Sequence, residues 1–357
     1  MPQPTVAGRY LNMDWVRYVL SMAVVVAHYN ILTGQSFLFP ISSGAAVGIF
    51  FGLSGFLVYA SYEHSDNFRQ YLCRRAHRIL PPYLFVVIAC AIGFSSISTL
   101  TPQQYFTDAM FWKYLLSNLL FLNFLQPELP GVFEQSTVTA VNGSLWTLKV
   151  EWMLYLSIPI SCYIVRRFRC AFDGLIVAIF IISVAYHHTM ERLFELTGNE
   201  LYHILSYQFA GQMVYFYTGV LVFRHLNWVS THRMFTFVSC CLVFALARWM
   251  ECNLPSSYWL SAFLSFVMPF TSVCIALVIC ISRPFWGTAI RLLGNCSYEM
   301  YLFHFPIIQL FVLWAFPTKF APGIAFALLL SVVFAISFIY SKGYPLVKRK
   351  IYHEDRN

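Results

Sequence analysis

Ten long apolar segments, separated by polar loops, run through almost the whole chain. A helix of about 20 apolar residues is long enough to cross a bilayer. Of the 357 residues, 59% are hydrophobic and 11% are charged, whereas soluble domains carry about 25% charged residues. The sequence therefore predicts an all-α polytopic membrane protein with about ten transmembrane helices. They are placed at about 11–32, 44–62, 80–97, 145–165, 174–188, 208–223, 234–250, 259–282, 292–314 and 322–341.

The basic residues alternate between the loops in a way that indicates topology. If the N-terminus is cytoplasmic, 17 of the 23 Lys and Arg residues fall on the cytoplasmic side and four fall outside. Cytoplasmic loops carry the excess of Lys and Arg in membrane proteins. We therefore expect both termini in the cytoplasm. The net charge of +8 is then mostly a topology signal and predicts no nucleic-acid partner.

The domain organisation is expected to be simple. Residues 1–357 are predicted to form a single transmembrane domain, with no appended soluble domain and no internal repeat. The loop 98–144 contains a shorter apolar piece at 112–125, which suits a re-entrant or interfacial helix. The ten cysteines are scattered and form no CxxC pair, so we expect neither disulfides nor a metal site.

The first apolar segment carries three ionisable residues on one helix face, namely Asp14, Arg17 and His28. Arg17 and His28 are eleven residues apart, which is three turns plus about 20°. A charge at the centre of a membrane helix costs about 2.5–3.5 kcal/mol on insertion scales and is functional by default. The structural interpretation is a buried Asp14–Arg17 ion pair that eases insertion, with His28 as a hydrogen-bonding residue near the outer interface. The functional interpretations are a catalytic site and a proton pathway.

The second segment and the loop after it offer two further candidate features. Gly48, Gly52, Gly55 and Ser54 allow close packing of helices, or leave room for a slender ligand beside the first helix. Four arginines then precede a proline pair. Topology and anionic lipid headgroups could account for them, but guanidinium groups also bind phosphate in a bidentate way. These arginines are Arg69, Arg74, Arg75 and Arg78.

Two later segments add further polar residues. Glu151 lies six residues inside the outer end of the fourth segment, at a depth resembling that of His28, so the carboxylate could orient the imidazole. A structural pair of Glu151 with Lys149 or Tyr155 is the alternative. In the ninth segment, Tyr301 and His304 would suit a ligand channel or serve as interhelical hydrogen-bonding residues.

Taken together, five motifs resemble the membrane-bound acyltransferase family 3, which includes the bacterial surface-polysaccharide O-acyltransferases. They occur in the family's order and cover nearly the whole chain. Where many members have a second acid, this chain has Trp152, so the acid role falls to Glu151 alone. The motifs are Arg17 and His28 with Asp14; Phe50 to Leu57, matching FFxLSGFL; Arg74, Arg75 and Arg78 before Pro81–Pro82; Ser144 to Glu151, matching SLWxLxVE; and Leu293 to Pro306, matching LGxxSYxxYLxHxP.

The resemblance implies an O-acyltransferase in the bacterial inner (cytoplasmic) membrane. It implies that an acyl group, commonly acetyl, passes from cytoplasmic acyl-CoA to a sugar hydroxyl at the outer face, with lipopolysaccharide O-antigen as a reasonable acceptor. No metal is expected, and the oligomeric state is open. The implied roles are catalysis by His28, Glu151, Asp14 and Arg17; acetyl-CoA binding by Arg17, Ser54, Arg74, Arg75 and Arg78; and acceptor binding by Trp146, Tyr301 and His304.

A proton-coupled transporter or flippase of a glycan intermediate is the competing class. The buried Asp14, Arg17, His28 and Glu151 could serve there as proton relays. The absence of an internal repeat and the arginine cluster favour the acyltransferase.

Overall fold

The computed structural model describes residues 10–255, 257–283 and 296–354, and within these ranges it contains helices and no strands. About 81% of the described residues are helical. In chain order the described α-helices are α1 Leu11–Thr33, α2 Ser43–Glu63, α3 Phe68–Gly93, α4 Pro102–Thr107, α5 Ala109–Leu119, α6 Trp146–Phe168, α7 Phe172–Thr197, α8 Glu200–Ser206, α9 Phe209–Arg224, α10 Leu226–Thr231, α11 Arg233–Asn253, α12 Tyr258–Ile281, α13 Ser297–Leu313, α14 Phe316–Lys319 and α15 Pro322–Glu354.

Among the described helices, eight are long and apolar enough to cross a membrane, which confirms the predicted all-α polytopic class. The other two predicted segments correspond to α9, with 16 residues, and α13, with 17. At 1.5 Å per residue they are about 24–26 Å long, less than the hydrocarbon thickness of about 30 Å. The start of the predicted ninth segment, 292–295, lies outside the described residues. The eight are α1, α2, α3, α6, α7, α11, α12 and α15.

The predicted apolar piece at 112–125 is α-helical only as far as Leu119, where α5 ends, and a short 3₁₀ helix follows at Asn123–Leu125. Phe121 then adopts a left-handed conformation with φ of 60°, which stops the helix. Along α5, Trp112, Leu116 and Leu119 are exposed, and their spacing puts them on one face of the helix. With 11 residues, α5 is about 16 Å long and too short to cross a bilayer; its apolar face is typical of an interfacial helix.

The chain forms two compact units. Unit 1 comprises the described parts of 1–16, 44–75 and 150–286, and unit 2 those of 17–43, 76–149 and 287–357. Each unit is therefore built from stretches that are distant in sequence.

In unit 1, glycine residues allow α2 and α9 to approach each other backbone to backbone. A Cβ on Gly55 would lie 1.9 Å from the carbonyl oxygen of Phe216, and one on Gly219 would lie 1.9 Å from the carbonyl oxygen of Gly52. Real Cβ atoms do not come so close to an oxygen. Of the two interpretations of the small residues in the second segment, close helix packing therefore applies to Gly52 and Gly55.

Unit 1 also holds the first residues of α1 against the end of α12. The side-chain amide of Asn12 donates to the carbonyls of Ile279, Ser282 and Arg283 at 3.0–3.1 Å. The last carbonyls of a helix have no partner within the helix, so Asn12 satisfies part of this end.

In unit 2, aromatic side chains join α3 to the segment between α3 and α6. The ring of Tyr83 stacks on Phe121 at 4.4 Å between centroids, and its hydroxyl donates to the carbonyl of Asn118. Tyr105 is fully buried and donates to the carbonyl of Ala91 at 2.8 Å, and burial raises the pKa of this tyrosine. These contacts tie the long excursion to the core of unit 2.

Replacing Gly55 by alanine should destabilise the protein, because the added Cβ meets the backbone of Phe216, which cannot move aside as a flexible side chain could. Overpacking of this kind typically costs about 1–3 kcal/mol. Thermal unfolding in detergent should show a lower midpoint for Gly55→Ala. The matched control is Gly44→Ala in the same helix, where a Cβ would meet nothing within 4 Å. Equal midpoints for the two variants would contradict the packing described.

Candidate active site

The centre of the candidate site in unit 2 is a contact between two histidine rings. His28 Nδ1 on α1 lies 2.8 Å from His304 Nε2 on α13, within hydrogen-bonding distance. The ring centroids are 5.0 Å apart and the ring planes are 28° from parallel. Phe305 packs edge-on against His28 at 5.1 Å. The structure thus unites two of the predicted site residues.

His304 is fully buried and hydrogen bonds at both ring nitrogens. Its Nδ1 lies 3.1 Å from the carbonyl oxygen of Met300, one helical turn earlier. His304 was predicted either to line a ligand channel or to form an interhelical hydrogen bond, and the interhelical hydrogen bond is present in the structure. A role in acceptor binding stays a prediction.

The segment that opens α6 packs on the same part of α13. The amide of Asn142 donates to the carbonyl of Leu302 at 2.8 Å. The hydroxyls of Thr147 and Tyr301 hydrogen bond to each other at 2.9 Å. Residues of two predicted motifs therefore form one connected network in unit 2. Trp146 is the first residue of α6 and is half-buried.

Glycine makes this packing possible at one point. A Cβ on Gly143 would lie 2.8 Å from the ring of Phe305, the residue whose ring also contacts His28. The loop before α6 thus packs against Phe305, which lies beside the histidine pair.

In unit 1, the Glu151 carboxylate accepts hydrogen bonds from two hydroxyl groups. Ser54 on α2 donates to Oε1 at 3.2 Å, and Tyr155, one turn later in α6, donates to the same oxygen. The carbonyl of Tyr155 in turn accepts from the hydroxyl of Tyr71 at 2.7 Å. The structural pair of Glu151 with Tyr155, predicted as an alternative, is present.

Asp14 and Arg17 both lie on α1. Asp14 is 5% exposed, and Arg17 is half-buried. A carboxylate so deeply buried must be compensated by hydrogen bonds or charge. Their predicted catalytic roles stay predictions.

The predicted phosphate-binding arginines lie near the start of α3. Arg74 is exposed, and its Nη1 donates to the carbonyl of His64 at 3.1 Å and to the hydroxyl of Ser65 at 3.4 Å. Arg75 is half-buried and donates to the hydroxyl of Ser61 at 3.1 Å. Arg78 is exposed. Since a guanidinium carries five N–H donors, the bonds of Arg74 leave it capacity for an anion.

Two contacts join residues for which the family resemblance implied other roles. The resemblance implied acceptor binding by His304 and donor binding by Ser54, whereas the structure joins them to His28 and to Glu151. The predicted partnership of Glu151 with His28 stays a prediction. Thr147 was missed, although it lies inside the SLWxLxVE motif, because only its contact with Tyr301 gives it significance.

The residues of this site lie in a part of the chain that matches a known protein family. The model of acyltransferase family 3, described as an acyltransferase domain, matches residues 10–342. The chain belongs to acyltransferase family 3. This membrane acyltransferase carries its five motif stretches inside the matched range, although Leu293 to Asn295 of the last motif lie outside the described residues.

Three curated proteins resemble the acyltransferase. An O-acetyl transferase of Shigella phage Sf6 is 24% identical over 84% of this chain and 85% of its own length. Nodulation protein 10 of Rhizobium leguminosarum bv. viciae is 29% identical over 48% of this chain and 49% of its own. Acyltransferase MdmB of Streptomyces mycarofaciens is 26% identical over 44% and 41%, respectively. No solved structure matches the chain.

Removing the donors to Glu151 should impair the acyltransferase. Hydrogen bonds to a charged group contribute about 1.5–3 kcal/mol, and each 1.36 kcal/mol corresponds to about tenfold in rate. We expect Ser54→Ala and Tyr155→Phe each to lower the acyl-transfer rate by about 10- to 150-fold. Control variants remove comparable hydroxyls that bond to backbone carbonyls, namely Ser95→Ala and Tyr186→Phe. Rates at the level of these controls would show that the Glu151 contacts serve packing alone.

Proposed function

We propose that this acyltransferase is an O-acyltransferase that moves an acyl group, in the simplest case acetyl, from cytoplasmic acyl-CoA to a hydroxyl of a cell-surface glycan such as lipopolysaccharide O-antigen. The observation that carries the proposal is the histidine pair on two helices of unit 2. The family match supports acyl transfer, and the phage relative named O-acetyl transferase supports acetyl transfer to oxygen.

His28 is proposed as the general base. Its ring accepts the proton of the sugar hydroxyl while the hydroxyl oxygen attacks the thioester carbon of the acyl donor. The new C–O bond forms, the C–S bond breaks, and His28 returns the proton to the departing thiolate. The products are an O-acyl ester and free CoA. A transient acyl-His28 is the variant of this mechanism.

The remaining roles follow from position along the helices. Glu151 is proposed to assist His28, as the matching depth of the two residues in their segments suggests. Arg17 and Asp14 lie about 16–21 Å before His28 along α1 at 1.5 Å per residue. We propose that the pantetheine arm of CoA passes along α1 from Arg17 toward His28. The Tyr301 hydroxyl and Trp146 are proposed to contact the acceptor.

The acyl donor is proposed to bind through its phosphates at the start of α3. Arg74, Arg75 and Arg78 lie within five consecutive residues of one helix, and residues four apart share a helix face. Guanidinium forks bind phosphate in a bidentate way. We propose that the protein lies in the inner membrane of a bacterial cell. Arg74 and Arg78 are exposed, which suits a ligand that arrives from the cytoplasm.

Mass spectrometry of surface glycans should reveal the product. Cells that produce the protein should carry glycans with the mass increment of an acyl ester, and cells with His28→Ala should lack it because the base is gone. The matched control is His232→Ala, which removes an exposed histidine of unit 1. Unmodified glycans in all strains, with altered glycan export in His28→Ala alone, would instead support the transporter or flippase.

The double variant Arg74→Ala with Arg78→Ala should weaken CoA binding. Loss of charge-assisted hydrogen bonds at about 1.5–3 kcal/mol each predicts at least a tenfold higher Kd, measured by calorimetry on the protein in detergent. The control is Arg166→Ala with Arg167→Ala, which removes two exposed arginines at the end of α6. Unchanged affinity in the first variant, or equal loss in both, would move the phosphate site elsewhere.

A further inference from the structure

The hydrogen bonds of His304 determine where its proton lies. Its Nδ1 is 3.1 Å from the carbonyl oxygen of Met300, and a carbonyl can only accept. Nδ1 must therefore carry the hydrogen of this bond. Since His304 is 0% exposed, a charged ring would lose its hydration, and the neutral form is favoured. A neutral imidazole with hydrogen on Nδ1 has a lone pair on Nε2.

This assignment determines the proton position on the neighbouring ring. His304 Nε2 faces His28 Nδ1 at 2.8 Å. Because His304 Nε2 can only accept, His28 Nδ1 must donate. In neutral His28 the lone pair is then on Nε2.

We infer that His304 is a positioning residue that holds His28 in the tautomer with hydrogen on Nδ1 and directs Nε2 to act as the base. The inference deepens the proposed function and rests on it for its catalytic meaning. When Nε2 takes up a proton, the bond from His28 Nδ1 to His304 becomes charge-assisted and stronger. His304 thus does for His28 what a carboxylate does in a Ser-His-Asp triad, with a neutral acceptor.

The direction of the hydrogen bond separates this role from simple helix joining. A bond that only joins α1 to α13 would work with the proton on either side. Here the bond to Met300 fixes one direction, so the Met300 carbonyl, His304 and His28 form a chain with a single polarity. Loss of His304 should therefore change the tautomer of His28, which a packing role does not predict.

Nitrogen-15 NMR on protein labelled at histidine tests the inference directly, because protonated and unprotonated ring nitrogens have distinct shifts. The signals of His28 are identified by their loss in His28→Gln. In the wild type we expect hydrogen on Nδ1 of His28, and in His304→Leu a mixture of both tautomers. Hydrogen on Nε2 of His28 in the wild type would overturn the inference, even if His304→Leu did not fold.

Steady-state kinetics supply the second readout. A wrong histidine tautomer costs about 10⁴-fold in kcat in a serine protease, so His304→Leu should lower kcat by about 10²- to 10⁴-fold with little change in KM for the acyl donor. His304→Gln should recover most of the rate, because the Gln amide oxygen can accept from His28. Equal loss in His304→Leu and His304→Gln would contradict the positioning role.

The control for these variants is His232→Gln. His232 makes the same local bond, from Nδ1 to the carbonyl of Trp228 at 3.1 Å, and is exposed. Its activity should equal that of the wild type. If the NMR result is as expected but the wild type transfers no acyl group, the proposed function fails while the tautomer assignment stands.

Discussion

Inside a bilayer, a polar side chain has no water to hydrogen bond with, so the protein itself must supply its partner. In unit 2 this constraint joins His28 to His304 and Tyr301 to Thr147. In unit 1 it surrounds the Glu151 carboxylate with hydroxyl donors. The groups proposed to act in acyl transfer therefore also connect the helices, and the hydrogen bonds that satisfy these groups also set their geometry.

Close backbone contact is the second condition on which these side chains depend. Apolar side chains have little drive to associate in lipid, and helices there pack through small residues. The contacts of Gly55 and Gly219 bring α2 against α9, and α2 also carries Ser54, which donates to Glu151. In unit 2, Gly143 admits the ring of Phe305, which lies edge-on against His28. Small residues thus fix the distances on which the polar contacts depend.

The helical segments could be predicted from sequence because apolar length and charge distribution are local properties. Whether α9 and α13 span the membrane was harder, since both are short and strongly buried. The motifs singled out His28 and His304, but not their contact, because His304 on α13 is 276 positions away from His28 in sequence. The end of α5 at Leu119 could not be predicted either. The apolar run continues to residue 125, and nothing in it indicates that Phe121 adopts a left-handed conformation.

Catalysis of acyl transfer with His28 as the base can be tested with purified protein, labelled acetyl-CoA and isolated cell-envelope glycan. With the wild type, label should appear in the glycan as a base-labile ester. With His28→Ala, this label should be lost. Absence of transfer by the folded wild type, or equal transfer by His28→Ala, would contradict this mechanism.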